Sequence, residues 1–299
     1  MKTLSGHTRP FAVLGHPIGH TLSPVMHNAA FESLGMDALY LAFDVTPESL
    51  MTVLPAMGAM GFKGVNLTVP LKEVAFRGLR DLDESARRLG AVNTVEFTAT
   101  GLRGHNTDGR GFLTALKESF GFSVKGAALF LLGCGGAGRA VAITAACEGA
   151  GILILADVDA ARCEAVAREI ALQAPSTRVE LAGPTPADWM RHTPRADLII
   201  QASPVGMKAG DICPLTPSAF RPGQFAFDLV YNHPKTCFME AATAGEARSV
   251  NGLGMLLHRG RGLHDLDGKT GRRGRHAQCA GTRALRVIRW PRVRARCRA

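Results

Sequence analysis

Short apolar runs separated by glycine and proline set the pattern of this chain. Residues 11–15 (FAVLG) read as a buried strand that leads into a Gly/Pro turn, GHPIGHTLSP. A helix is expected next, with Ser23 as its N-cap and Pro24 at its first position, running to about Leu34. Two more strands, 39–45 (LYLAFDV) and 64–69 (GVNLTV), are each followed by proline and a helical pattern. A second series begins near Lys125. It has a strand at 127–132 (AALFLL), an alanine-rich helix opened by GCGGAGRA, a strand at 152–156 (ILILA) and a helix over 159–172. Strands at 178–182, 197–202 and 225–231 complete it. This alternation predicts an α/β protein with mostly parallel sheets, the second series being doubly wound. The expected division is 1–107, then 108–248, with 249–299 returning to the first domain.

From Arg259 onward the periodicity stops and the chain turns Gly/Arg-rich, so no helix is assigned there. That segment also explains the formal net charge of +10: residues 259–299 hold 13 Lys and Arg against 2 acidic residues, and the preceding 258 residues sum to −1. The tail has a single aromatic residue, Trp290, and no interleaved aromatic pattern, so a nucleic-acid partner is not expected. Hydrophobic residues at 46% and charged residues at 20% argue against wholesale disorder. No apolar run reaches the ~18–20 residues that cross a bilayer, and residues 1–10 lack a signal-like apolar stretch. A cytoplasmic protein without a membrane partner follows, as a monomer or homodimer. The 7 cysteines are scattered without C-x-x-C spacing, and no metal is expected.

Gly133, Gly135 and Gly138 form G-x-G-x-x-G, with an additional glycine at Gly136. The match follows a buried strand and opens a helix, the context in which such a loop cradles a pyrophosphate, as in a Rossmann-type dinucleotide-binding domain. Asp157 ends the next strand, where an acidic group accepts hydrogen bonds from both ribose hydroxyls of NAD and repels the 2′-phosphate of NADP. The charge argument therefore favours NAD. Arg162, five residues on, keeps NADP as the alternative, and an N-cap role competes for Asp157 and Asp159.

Polar residues gather at the strand ends of the first half. Thr21 and Ser23 lie in the first turn, Asn66 and Thr68 in an otherwise apolar strand, and Lys72 opens the helix after Pro70. Asn93 and Thr94 follow a GAV segment, and Asn106, Thr107 and Asp108 precede Gly109. Strand-end polar groups in an α/β sheet converge on the ligand crevice, and this set suits a small polyhydroxylated substrate. Lys72 and Asp108 are the acid–base pair, since carbonyl reduction needs a proton donor at oxygen while hydride reaches carbon.

Taken together, these segments resemble the shikimate dehydrogenase family. The matching stretches are GHPIGHTLSPVMHNAAF (15–31), GVNLTVPLKE (64–73), GAVNT (90–94), GHNTDGRGF (104–112), GCGGAGRA (133–140), QASPVGM (201–207), DLVYN (228–232) and NGLGMLL (251–257). The resemblance implies an N-terminal α/β substrate domain joined to a Rossmann-type domain, and reversible reduction of 3-dehydroshikimate to shikimate. It places Thr21 and Ser23 on the substrate carboxylate, and Asn66, Thr68, Asn93 and Asp108 on ring hydroxyls. Lys72 falls on the catalytic lysine and Tyr231 at the substrate mouth. Gly133, Gly135, Gly136, Ala137, Gly138, Asp157 and Gly252 fall on the cofactor.

Two departures stand out. NADP-binding members carry Asn-Arg-Thr after the second strand of the cofactor domain. Here the residues are Ala156-Asp157-Val158, which resembles the NAD-using quinate/shikimate branch and leaves quinate open as a substrate. After GMLL the family reads x-Gln-Gly and continues into helices that pack the first domain. Here it is His258-Arg259-Gly260. Shifting the codons of Gly262–Thr270 forward by one base, with suitable synonymous codons, yields Gly-Phe-Thr-Ile-Trp-Thr-Gly-Lys, a family-like tail. The expectation is a frame-shifted C-terminus, and a relative left inactive by that altered tail is the alternative to a working enzyme.

Overall fold

A computed structural model describes residues 4–19, 21–208 and 210–258. The shifted-frame reading, Arg259 and the basic tail lie outside the described residues. Within them are two six-stranded sheets.

The first sheet is built from β1 (Arg9–Gly15), β2 (Ala38–Asp44), β3 (Gly64–Leu67), β4 (Asp81–Leu82), β5 (Thr94–Thr98) and β6 (Gly101–His105), in the order β2-β1-β3-β5-β6-β4. β1 runs parallel to β2 and β3, whereas β5 is antiparallel to both β3 and β6. Its helices are α1 (Ser23–Ser33), α2 (Leu50–Ala59), α3 (Leu71–Gly78) and α4 (Glu84–Leu89). Alternate side chains of β1 enter opposite cores. Phe11 and Val13 pack with Phe31 of α1 and Tyr40 of β2, and Ala12 and Leu14 pack with Leu50, Leu54 and Leu71. That two-sided burial is why the strands read as continuous apolar runs rather than alternating ones.

The long helix α5 (Asp108–Phe120) leads into the second sheet, β7 (Ala128–Leu132), β8 (Ile152–Ala156), β9 (Arg178–Leu181), β10 (Leu198–Gln201), β11 (Phe225–Asp228) and β12 (Arg248–Val250). The order is β12-β11-β10-β7-β8-β9, parallel throughout, with α6 (Gly136–Cys147), α7 (Ala160–Gln173), α8 (Pro186–His192) and α9 (Cys237–Ala244) between strands. This is the doubly wound arrangement, and its order reverses between β7 and β10, where a crevice opens at the strand ends. Residues 253–258 are helical again. Among the described residues no helix is long and apolar enough to cross a membrane.

One boundary differs from the sequence reading. Ser23 is the first helical residue, the cap position falls on Leu22 without a side-chain bond, and Pro24 sits within the first two positions. The Ser23 hydroxyl is turned to Thr21 instead. The β5–β6 hairpin was not legible as strand–helix alternation, because its two strands meet through a tight turn at Gly101 (φ 137°).

Two contacts fix how the sheets meet. Arg139 of α6 pairs with Glu169 of α7 and also donates to the Leu89 carbonyl at the end of α4. At the other, α5 crosses α6 so closely that a Cβ on Gly109 would lie 2.0 Å from Thr144 Oγ1. Gly109→Ala is therefore expected to destabilise the protein by about 1–3 kcal/mol in denaturant unfolding, with Thr144→Ala in the same chain recovering part of the loss. A Gly109→Ala protein as stable as the parent would contradict this packing.

Candidate active site

The antiparallel turn of β5 assembles the site. Because β5 runs against β3, its first residue, Thr94, pairs in register with Asn66 near the end of β3. β6 returns beside β5 and ends at His105, which delivers Asn106, Thr107 and Asp108 to the same edge. α3 begins one turn beyond β3 and carries Lys72 there, tied in by a hydrogen bond from the Val92 amide to the Lys72 carbonyl at 3.0 Å.

Asp108 is 1% exposed. A carboxylate so buried needs charge and hydrogen-bond partners. Lys72 Nζ lies 2.5 Å from its Oδ2, and Asn93 Nδ2 donates to its Oδ1 at 2.8 Å. Its own amide donates to Asn106 Oδ1 at 3.0 Å. Asp108 occupies the first turn of α5, where the helix dipole also favours a negative charge.

From Asn93 the hydrogen bonds continue outward. Thr94 Oγ1 donates to Asn93 Oδ1 (2.9 Å), Asn66 Nδ2 donates to Thr94 Oγ1 (3.0 Å), and Tyr40 Oη donates to Asn66 Oδ1 (2.6 Å). Asn66 opens on a small cavity whose lining includes Thr21, Ser23, Thr68, Tyr231 and His27. Thr21 Oγ1 donates to Ser23 Oγ at 3.2 Å, which leaves the Ser23 hydroxyl hydrogen directed elsewhere. Thus Thr21, Ser23, Asn66, Thr68 and Tyr231 share one cavity wall, and Lys72, Asn93 and Asp108 join it through the hydrogen-bonded chain rather than as lining side chains. A Cβ on Gly15 would sit 2.5 Å from Thr68 Cγ2 and push that lining side chain out of place.

Tyr231 reaches the cavity from the second sheet. It lies in the loop after β11, and Asp228 at the end of that strand anchors the loop. Asp228 accepts from Thr236 Oγ1 (2.6 Å) and from the Val230 amide (3.0 Å). Burial pushes the Asp228 carboxyl up to about 6, against 3.8 ordinarily, in spite of these two donors.

The glycine loop lies at the end of β7. Gly133 adopts φ 102° and faces Ser203 N, which a Cβ would meet at 2.6 Å, and a Cβ on Gly138 would meet Gly133 O at 1.8 Å. These two glycines are demanded by the turn and by helix–strand packing. At Gly135 and Gly136 a Cβ would find nothing within 4 Å, so the space before the α6 N-terminus is open. That open cradle, facing a helix start, fits a pyrophosphate. Ala137 is exposed beside it. Asp157 holds the loop, accepting from the Cys134 amide at 2.7 Å and the Asp159 amide at 3.0 Å, while Asp159 is the residue that caps α7. Gly252 lies against the end of β11, where a Cβ would meet Leu229 O at 2.3 Å.

Residue-pattern reasoning overlooked Tyr40, His27 and Asn28. Asn28 clamps both backbone groups of Tyr40 at 2.8 Å, and His27 stacks on its ring with centroids 4.0 Å apart. The only signal available was an aromatic residue with a hydroxyl inside a strand, which reads as ordinary core.

Comparison with known proteins gives a consistent result. The profile of the shikimate dehydrogenase substrate binding domain matches residues 13–95. The shikimate dehydrogenase (NADP(+)) of Moorella thermoacetica is 43% identical over 262 residues, covering 87% of this chain and 88% of the relative. The structure of shikimate 5-dehydrogenase from Listeria monocytogenes in complex with shikimate and NAD superposes with a TM-score of 0.81 at 32% identity, covering 89% of this chain and 93% of that one. The shikimate 5-dehydrogenase of Thermus thermophilus in complex with NADP(H) and shikimate gives 0.79 at 36% identity, covering 93% and 100%.

Asp228 yields a stability prediction. Its raised pKa means that the folded protein holds the proton more tightly than the unfolded chain does. Stability therefore rises as pH falls from about 7 through 6 toward 4, by up to roughly 3 kcal/mol from this group. Denaturant unfolding across that range is expected to show the gain in the parent and its absence in Asp228→Asn. Parallel pH profiles for the two proteins would contradict the assignment.

Proposed function

The chain belongs to the shikimate dehydrogenase family, and on that premise we propose that it carries out the nicotinamide-dependent, reversible reduction of 3-dehydroshikimate to shikimate. It is an oxidoreductase acting on a CH–OH group. The observation that carries this reading is the Lys72–Asp108 pair at 2.5 Å, joined by hydrogen bonds to a polar cavity that also receives Tyr231 from the loop after β11.

Reduction converts a ring ketone to an alcohol, so the oxygen must gain a proton as the carbon gains hydride. The glycine loop would hold a dinucleotide, whose chemistry when bound would be hydride transfer. Lys72 supplies the proton at the oxygen, and in the oxidative direction it takes the alcohol proton back. Asp108 holds the ammonium in place and stabilises its charge. Thr21 and Ser23 grip the substrate carboxylate, Ser23 as the donor, since Thr21 already donates to it. Asn66 and Thr68 hold the ring hydroxyls from the cavity wall, Asn93 backs them through Thr94 and Asp108, and Tyr231 closes the mouth. In this reading residues 1–107 form the substrate domain, 108–248 the cofactor domain and 249–299 the return to the first, while the described start of that return still packs on α5 and the second sheet, with Met255 in its core and His258 2.8 Å from Glu118.

The dinucleotide preference rests on Asp157. Its carboxylate ends β8 beside the glycine loop, where the adenosine ribose sits in domains of this kind, and the exposed Val158 that follows carries no charge for a 2′-phosphate. Arg162 is taken up by Asp159 at 3.3 Å. We therefore assign NAD as the preferred form, with NADP the alternative.

Oxidation of shikimate, followed by absorbance of the reduced nicotinamide, tests both statements. The expected result is turnover with kcat/KM for NAD above that for NADP, and a shift of roughly tenfold toward NADP in Asp157→Asn. NADP preference in the parent would overturn the Asp157 assignment and leave the enzyme reading intact. Turnover of quinate in place of shikimate would reassign the substrate, and no turnover of either would overturn the function.

A further inference from the structure

Two fixed points settle the direction of every hydrogen bond in the chain from Asp108 to Tyr40. The backbone amide of Thr107 can only donate, and it lies 2.9 Å from Asn93 Oδ1. Asn93 therefore turns its carbonyl oxygen toward Thr107 and its NH2 toward the Asp108 carboxylate, which can only accept. Thr94 Oγ1, 2.9 Å from that same carbonyl oxygen, must then donate to it. Having spent its hydrogen, the Thr94 hydroxyl is an acceptor for Asn66. The backbone carbonyl of Asn93, 3.4 Å from Asn66 Nδ2, is an acceptor as well. Both fix the NH2 group of Asn66 on that side and engage both of its hydrogens. Its Oδ1 must consequently face Tyr40, and the Tyr40 hydroxyl must donate.

Toward the cavity, the polar capacity left on the Asn66 side chain is the second lone pair of Oδ1. Asn66 therefore meets a ligand as an acceptor. Tyr40 keeps it so, and is itself held without slack: fully buried, its backbone clamped by Asn28 and its ring stacked on His27. Both clamps come from α1, whose first residue, Ser23, lines the same cavity.

We propose that Tyr40 is a positioning residue for the substrate. By donating to Asn66 Oδ1 it completes the hold that Thr94 and the Asn93 carbonyl place on the Asn66 amide and keeps an acceptor toward the cavity, so that the site selects a ring hydroxyl that donates there over a carbonyl oxygen in the same place. The substrate in this statement rests on the shikimate dehydrogenase reading, and the lock itself does not.

Tyr40→Phe in the full-length protein tests it, because the ring stays stacked on His27 and only the donor is lost. Steady-state kinetics with shikimate should show KM raised about tenfold. The kcat should remain within about threefold, with its pH profile and the dinucleotide KM unchanged, because Lys72 and Asp108 are untouched. In an Asn66→Ala background the same substitution should add nothing further. A second readout needs no substrate. The side-chain amide protons of Asn66, observed by 15N-resolved NMR and assigned by their loss in Asn66→Ala, should exchange slowly in the parent and at least about ten times faster in Tyr40→Phe.

An unchanged KM, a fall in kcat with KM unchanged, a full Tyr40→Phe effect in the Asn66→Ala background, or unaltered amide exchange would each overturn the proposal. Should the parent fail to turn over shikimate, the functional reading falls, and the exchange experiment alone decides the lock: faster exchange in Tyr40→Phe sustains it and equal exchange overturns it.

Discussion

Burying the Asp108 carboxylate is the constraint around which the first half of this molecule is arranged. Removing one partner from a buried ion pair typically costs about 3–5 kcal/mol, so a fold that hides Asp108 must supply a cation and donors at the same spot. Lys72 arrives from α3 and Asn93 from the turn before β5, and Asp108 itself sits at the first turn of α5. Three segments far apart in sequence are thereby committed to one point. The same commitment fixes the orientation of the Asn93 amide and, through Thr94 and Asn66, the polarity of the cavity wall. The buried ion pair and the cavity wall are thus coupled by a single run of hydrogen bonds.

The topology places this point usefully. β1 and β3 are parallel, so their exits lie at one edge of the first sheet, and the antiparallel β5 starts there. α5 then carries the chain to the second sheet, whose strand order reverses beside the glycine loop. The close crossing at Gly109 sits one residue after Asp108. The position of the Lys72–Asp108 pair relative to the glycine loop is therefore set by packing of α5 on α6, and the Asp228-anchored loop brings Tyr231 across to complete the cavity.

Much of this was legible in the sequence. The strands 152–156 and 198–201, both buried on two faces, stand out as apolar runs, and the second of them was placed within a residue at each end. The glycine loop was recognisable because its context, strand before and helix after, is itself a sequence pattern. Polar residues in places that core packing does not need, such as Asn66 inside an apolar strand, pointed to the cavity. Tyr40 did not, since an aromatic residue in a strand is what a hydrophobic core ordinarily contains, and its role depends on a partner 26 positions away. The β5–β6 hairpin is hidden because its strands meet directly at the Gly101 turn, and because Gly104, where a Cβ would meet Val92 at 2.7 Å, carries no side chain to mark a period.

In the proposed mechanism Lys72 moves the proton and Asp108 keeps it in position. Lys72→Gln isolates that division of labour, because the amide can still donate to Asp108 and spare the fold an unpaired buried carboxylate, yet cannot transfer a proton. Single-turnover oxidation of shikimate and calorimetric binding of shikimate, measured on the same preparation, decide it. The expected result is a loss in the chemical step of roughly 10²–10⁴-fold with shikimate affinity changed only a few-fold. A variant that retains the parent's chemical rate, or that loses binding and rate in equal measure, would contradict it.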